Sequence, residues 1–249
     1  SNSGRLFRGG TLHADNNITR TSTAIVATNA DLYADYKDIV IQALAGSKDQ
    51  INTLARGSGG GLLGIGLLKS NTNISSEVAI HISSGAKIET IFNNVVIGAI
   101  GSIGYSRTSG DYSVGGAIAI PELRVFTTNV KMPVGVDIRN AQIKGRNLDI
   151  YARTGEFYVA AESDASSYGL AGFTSCESKI TSDVKTTVDI MTEGQGATEL
   201  MAFEKLHIYS NAEPTSAGTH FRVKSTAFAG AFIASAKATS TLEGKAYSN

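Results

Sequence analysis

The chain has one cysteine, three prolines, no tryptophan and no excess of either charge. Each shortage removes a class of protein. A lone thiol, Cys176, builds neither an internal disulfide framework nor a multi-cysteine metal site. With 22 basic and 22 acidic residues the formal charge is zero, so the chain carries no basic footprint for DNA or RNA. Aromatic residues are only 7%, which leaves few of the flat apolar platforms that a sugar-binding groove uses. The longest apolar stretches, such as Val95 to Ile103, are broken by glycine and serine. They fall far short of the roughly 20 residues that span a bilayer as a helix, so no transmembrane segment is expected.

What is present is a loose repeat. Alternating apolar strands recur at Ile39–Ala43, Val95–Ala99, Leu148–Ala152 and Leu206–Ser210. Their central residues, Ile41, Ile97, Ile150 and Ile208, lie roughly 55 residues apart, a period that signals stacked units sharing one core. A second landmark follows each strand: Gly60-Gly61-Leu62-Leu63, Gly115-Gly116-Ala117-Ile118, Tyr168-Gly169-Leu170-Ala171 and Ala229-Gly230-Ala231-Phe232. The pattern predicts an all-β solenoid, a parallel β-helix of about four degenerate repeats. Two turns of roughly 25 residues per repeat would make a rod about 45 Å long at the usual strand spacing. A β-sandwich or jelly roll built from the same short strands is the competing architecture.

Apolar alternation also marks Val78–Ile82, Val134–Ile138 and Val184–Ile190 as strands with one face toward a core. Loops are expected at Ser83–Gly85, Arg107–Asp111, Ser163–Ser167 and Glu213–Gly218, where serine, aspartate and glycine favour turns. Asp31 to Arg56 has helical spacing at Tyr33, Tyr36, Val40, Ile51 and Leu54, but Ile39–Ala43 aligns with the repeat strand, so strand is preferred. No composition shift marks a boundary. Residues 24–249 are read as a single domain of four repeats, and residues 1–23 as a partial repeat or a leader foreign to the natural chain.

Candidate chemistry is sparse. Gly59-x-Gly61-x-x-Gly64 matches a dinucleotide fingerprint, but no βαβ unit follows and related glycines recur in the other repeats, so a structural corner is favoured. Leu62, Leu63 and Ile65 stand where a calcium-binding β-roll needs aspartate. His13, His81, His207 and His220 show no metalloprotease spacing, and Cys176 lacks a nucleophile signature. No catalytic, cofactor-binding or metal residue is therefore assigned, no cofactor is expected, and the ligand-binding residues are unknown. The densest polar run is Lys144, Arg146, Asp149, Tyr151, Arg153 and Glu156, of which Asp149, Tyr151 and Arg153 alternate onto one face.

Gly-Gly followed by small and aliphatic residues, then an Asn/Ser/Thr stretch, then a Val-x-Ile strand, resembles the repetitive filamentous adhesins of Gram-negative bacteria. Gly60–Ile74 and Gly115–Val130 look most like repeats of the filamentous-haemagglutinin and leukotoxin types. The resemblance implies a right-handed parallel β-helix, export to the cell surface or outer membrane, a place in a longer chain, and a role in adhesion. It implies a host-cell or bacterial surface receptor as partner, glycans among the candidates; with no metal or triad constellation in the sequence, no enzymatic activity is expected. No amino-terminal secretion domain is recognisable. The alternative is a carbohydrate-active β-helix enzyme, a polysaccharide lyase or hydrolase.

Overall fold

A run such as Val78–Ile82 has one apolar face to hide, and a strand hides it by stacking beside strands with the same alternation. The computed structural model describes residues 7–46, 50–212 and 220–248. Among these residues nine strands form one sheet: β1 (Phe7–Val26), β2 (Asp31–Ala34), β3 (Ile39–Ala45), β4 (Gln50–Ile82), β5 (Lys87–Thr90), β6 (Asn94–Arg139), β7 (Gln142–Met191), β8 (Glu199–Asn211) and β9 (His220–Ser248). Among the described residues there is no helix, including between Asp31 and Arg56. The expected loop at Glu213–Gly218 lies outside the described residues.

Every ladder is parallel. That overturns the sandwich and jelly-roll architectures, whose strands pair antiparallel. The four recurring strands stack in register: Ile41 pairs with Ile97, Ile97 with Ile150 and Ile150 with Ile208. Ile97 and Ile150 are fully buried in this column. Partners lie roughly 52 to 62 residues apart, so each repeat contributes one rung and not two turns of about 25 residues. At about 4.8 Å per rung the stack is about 20 Å deep, half the expected length. Residues 7–23 lie within β1, which pairs with Leu63–Ile82.

The glycine landmarks do not end strands. β4, β6 and β7 are 33, 46 and 50 residues long because pairing continues through them. Gly60 pairs with Gly115, Gly115 with Tyr168, and Tyr168 with Gly230, one residue off the alignment expected for the fourth repeat. At the landmark the inward parity switches. Ile51, Thr53 and Ala55 are buried before it, and Leu68, Ser70, Thr72 and Ile74 after it. The chain reverses there into a narrow arm whose two inner faces touch.

Hydroxyls fill the arm. Thr108 donates to Thr72 at 2.6 Å and Thr72 to Thr53 at 2.7 Å, while Ser178 reaches Ser163 at 2.8 Å and Thr174 reaches Ser167 at 2.7 Å. Such contacts bring the facing backbones closer than the about 10 Å of ordinary stacked sheets. Arg107–Asp111 and Ser163–Ser167 are therefore strand, not loop. Their small polar side chains fit the thin interior and find partners inside it. Tyr112 is accommodated in the arm because Gly57 and Gly66 present no side chain; a Cβ on Gly66 would sit 1.6 Å from its hydroxyl.

The broad end of each repeat holds the aliphatic core, Val78, Ile80, Ile82, Ile88, Val95 and Ile97 in one rung. It turns at left-handed residues, Asn29 (φ 58), Gly85 (φ 77) and Asn140 (φ 44) in successive rungs. The amide of Asn29 donates to Ser84 O, and that of Gly85 to Asn140 O, so the turns are laddered as well. Asn ladders outside the core repeat the device: Asn147 Nδ2 donates to Asn94 at 2.7 Å, and Asn94 Nδ2 to Asp38 at 3.1 Å.

Candidate functional site

Register decides which outward side chains meet. Two columns cross β3, β6, β7 and β8: Val40, Val96, Asp149 and His207, then Gln42, Gly98, Tyr151 and Tyr209. In the first two rungs this face is aliphatic or bare apart from the Gln42 amide. In the last two it carries a carboxylate, an imidazole and two phenols.

The polar half is compact. Asp149 Oδ1 lies 3.3 Å from His207 Nδ1, Tyr151 stacks on Tyr209 at 5.3 Å between ring centroids, and His207 stacks on Tyr209 at 4.6 Å. The Arg153 guanidinium sits 5.5 Å from the centre of the Tyr151 ring. Gln42 Nε2 donates to the Tyr151 hydroxyl at 3.2 Å, reaching past Gly98. Burial, and then the nearby Asp149 charge, hold the Tyr209 phenol above its ordinary range, so it stays a neutral donor. Arg153 Nε and Asp149 Oδ1 are shielded from solvent without a hydrogen-bond partner.

The structure thus brings Asp149, Tyr151 and Arg153 together and adds Gln42, His207 and Tyr209 from other repeats. Lys144 and Arg146 are drawn away, Lys144 to Glu89 at 2.7 Å and over the Phe203 ring, Arg146 to Glu204 at 2.8 Å. Glu156 is exposed apart from them. The face offers donors and acceptors to a hydroxyl-rich ligand and a guanidinium to an anionic group.

A second polar cluster lies on the outer face of the arm, where sequence inspection finds only a loop signal. Arg107 pairs with Ala160 and Ala160 with Arg222, so two guanidiniums flank a buried methyl group. Both turn to Glu162, one column along: Arg107 Nη2 donates to Oε2 at 2.6 Å, and Arg222 Nε lies 3.0 Å from Oε1. The Glu162 carboxylate raises the Arg107 pKa further. With Arg56, Asp111, Asp164 and Lys224, Arg107 and Glu162 line a shallow groove of about 280 Å³. Only a known register predicts this cluster, because its members lie more than fifty residues apart.

The other sequence candidates take structural places. Gly59, Gly61 and Gly64 lie inside β4 at the arm tip, and no helix follows to cradle a phosphate. Cys176 is buried in the column of Leu68 and Leu123, and burial pushes its thiol up against an opposing hydrogen bond with Ser163. His13 is exposed, and His81 lies 3.6 Å from Asp137. His220 opens β9. Among the described residues no three His, Cys, Asp or Glu side chains are grouped to hold a metal ion, and no helix is long and apolar enough to cross a membrane. Comparison with protein-family models, with curated proteins and with solved structures found no match.

Proposed function

We propose that this chain is a right-handed parallel β-helical segment of a repetitive bacterial protein, secreted or held at the cell surface, that serves attachment. The observation that carries the reading is the in-register column of like inward residues, Ile41 to Ile208, beneath outward columns that change character from repeat to repeat. Parallel strands joined across one sheet follow a right-handed path in nearly all known cases, which supplies the hand. A stack of this kind gives length and stiffness through repetition, while its outer face is free to vary. Any recognition is then spread over exposed faces, and the polar patch around Asp149 and His207 is one such face.

The test is adhesion. Beads coated with the purified chain should bind host-cell monolayers above beads coated with an unrelated β-solenoid, and soluble chain should compete. Binding no better than the control, at every coating density, overturns the reading.

The proximity of Asp149, His207, Tyr209 and Arg153 favours a second reading, a lyase or hydrolase acting on acidic polysaccharide. Turnover of uronate polymers, followed by the ultraviolet absorbance of unsaturated products and abolished in Arg153→Ala, would make that reading the better one.

A further inference from the structure

The arm tips share one property across the repeats. From Gly57 to Leu68, Tyr112 to Pro121, Ala165 to Cys176 and Thr226 to Ala236 there is no charged residue. Ladder pairing of Gly60, Gly115, Tyr168 and Gly230 brings these four uncharged segments into one line. Large apolar side chains stand out along it: Leu62 is 58% exposed, Leu170 70% and Phe232 94%, with Ile65, Tyr168 and Phe228 beside them at about half. A contiguous apolar strip of this kind marks an interaction surface.

Its form says what fits. The hydroxyls of Ser167 and Thr174 meet at 2.7 Å across the reversal, so Tyr168 to Phe173 project as a thin edge and leave no groove for a strand or helix to enter. Charge begins sharply on both flanks, at Arg56, Asp111, Asp164 and Lys224 on one side and Lys69, Glu122, Glu177 and Lys237 on the other. These eight balance, four of each sign. An exposed aromatic contact elsewhere, Tyr36 stacked on Phe92 at 5.6 Å, by contrast has Asp35, Lys37 and Asp38 beside Tyr36.

The backbone also suits a dry environment. Peptide groups carried into lipid must be hydrogen-bonded within the protein. The ladders above and below supply those bonds up to the tips of the inner rungs and leave out Leu62, Ala117, Leu170 and Phe232, where the interfacial depth of the contact keeps water within reach. Inside the arm, Thr174 Oγ1 lies 2.9 Å from Phe228 O and Ser178 Oγ 2.8 Å from Lys224 O, so these two hydroxyls behind the tip are satisfied without water. From Arg56 to Leu62 an extended chain covers about 20 Å, enough to reach past the headgroups while the flanking charges stay in them.

We propose that the arm edge is an interfacial membrane-binding surface, whose ligand is the headgroup and upper acyl layer of a zwitterionic lipid bilayer. Apolar insertion drives the contact, and the balanced flanks make it indifferent to lipid charge. It is independent of the adhesive reading, which concerns the outer sheet faces.

The test is flotation of the intact chain with phosphatidylcholine vesicles free of protein and glycan. Partitioning should change less than about twofold when a third of the lipid is replaced by phosphatidylserine or the salt is raised to about 0.5 M. Leu62→Ser/Leu170→Ser/Phe232→Ser should lower it at least about tenfold, whereas Phe92→Ser should not. Because the chain has no tryptophan, Leu170→Trp supplies a single reporter whose emission should shift to the blue on vesicles and be quenched by brominated acyl chains. Failure to float, a requirement for anionic lipid, or an unshifted emission from the folded Leu170→Trp variant would each overturn the proposal. So would a concentration-dependent dimer abolished by the triple variant, since the edge would then be covered by a second copy.

Discussion

Tyr151 lies across Gly98. A Cβ built on Gly98 would stand 2.3 Å from the Tyr151 Cζ and 2.5 Å from its hydroxyl. The phenol occupies the space left where the neighbouring rung has no side chain, and from there it receives the Gln42 amide. Gly98→Ala should therefore cost about 1–3 kcal/mol, the usual range for overpacking a filled site. In a Tyr151→Ser background the same change should cost less than about 0.5 kcal/mol. Urea unfolding of the four proteins of this cycle measures the coupling, and additive costs would contradict it.

The hydroxyl chain inside the arm makes a second prediction. Thr72 both donates to Thr53 and accepts from Thr108, so Thr72→Val removes two buried hydrogen bonds while keeping the shape. A loss of about 1–3 kcal/mol is expected in denaturant unfolding. Ser113→Ala, on the outward side of the same arm, should stay within about 0.5 kcal/mol. Equal effects would show that the interior hydroxyls contribute nothing beyond their volume.

Glu162 is expected to matter more than its neighbours. Its side chain is only 17% exposed and holds two arginines drawn from different repeats. Glu162→Gln should cost about 1–2 kcal/mol, with the value shrinking in high salt because both guanidiniums are half exposed. Arg56→Ala, whose contact with Asp111 is 4.0 Å between exposed groups, should have no measurable effect on the melting temperature.

For Cys176 the direction of the shift sets the pH behaviour. Its folded pKa is raised from 9.0 by burial, so the native state favours the neutral thiol. That contribution is fully present below the unfolded pKa and is lost as pH rises through the folded one. Alkylation by iodoacetamide at about pH 8.5, near the ordinary thiol pKa, should be slow in the native protein and fast in urea. Cys176→Ser should leave cell binding unchanged, and rapid native labelling would refute a passive role.

The columns that hold the fold were legible because alternation and period reinforce each other. Ile41, Ile97, Ile150 and Ile208 can be aligned by eye, and they pair. The arm was not legible. Serine and threonine from Ser163 to Thr174 have the composition of a loop, and their role as core residues appears only when Ser163 faces Ser178 and Ser167 faces Thr174 across a thin interior. The polar face was half legible, since Asp149, Tyr151 and Arg153 alternate within one strand. His207 and Tyr209 join them through a register step of 58 residues, and Arg107, Glu162 and Arg222 through steps that bulges at Gly101–Ser106 make irregular. A single sequence shows periodicity well and bulges poorly, because one inserted residue changes the count without changing the composition.

The pairing distance has a consequence for how the chain acquires its structure. Among the described residues no strand is laddered to one nearby in sequence; the ladders all join residues about one repeat apart. A single repeat in isolation would have every strand edge open and nothing to pair with. The smallest nucleus must close a loop of more than fifty residues before its first ladder bond is gained, which places the entropic barrier at the first pair of rungs. Each later repeat meets a template already in register. Folding should therefore show one slow initiation followed by quick, directional growth, and a chaperone or secretion pore that released the chain gradually would need to restrain it only until the second rung emerged.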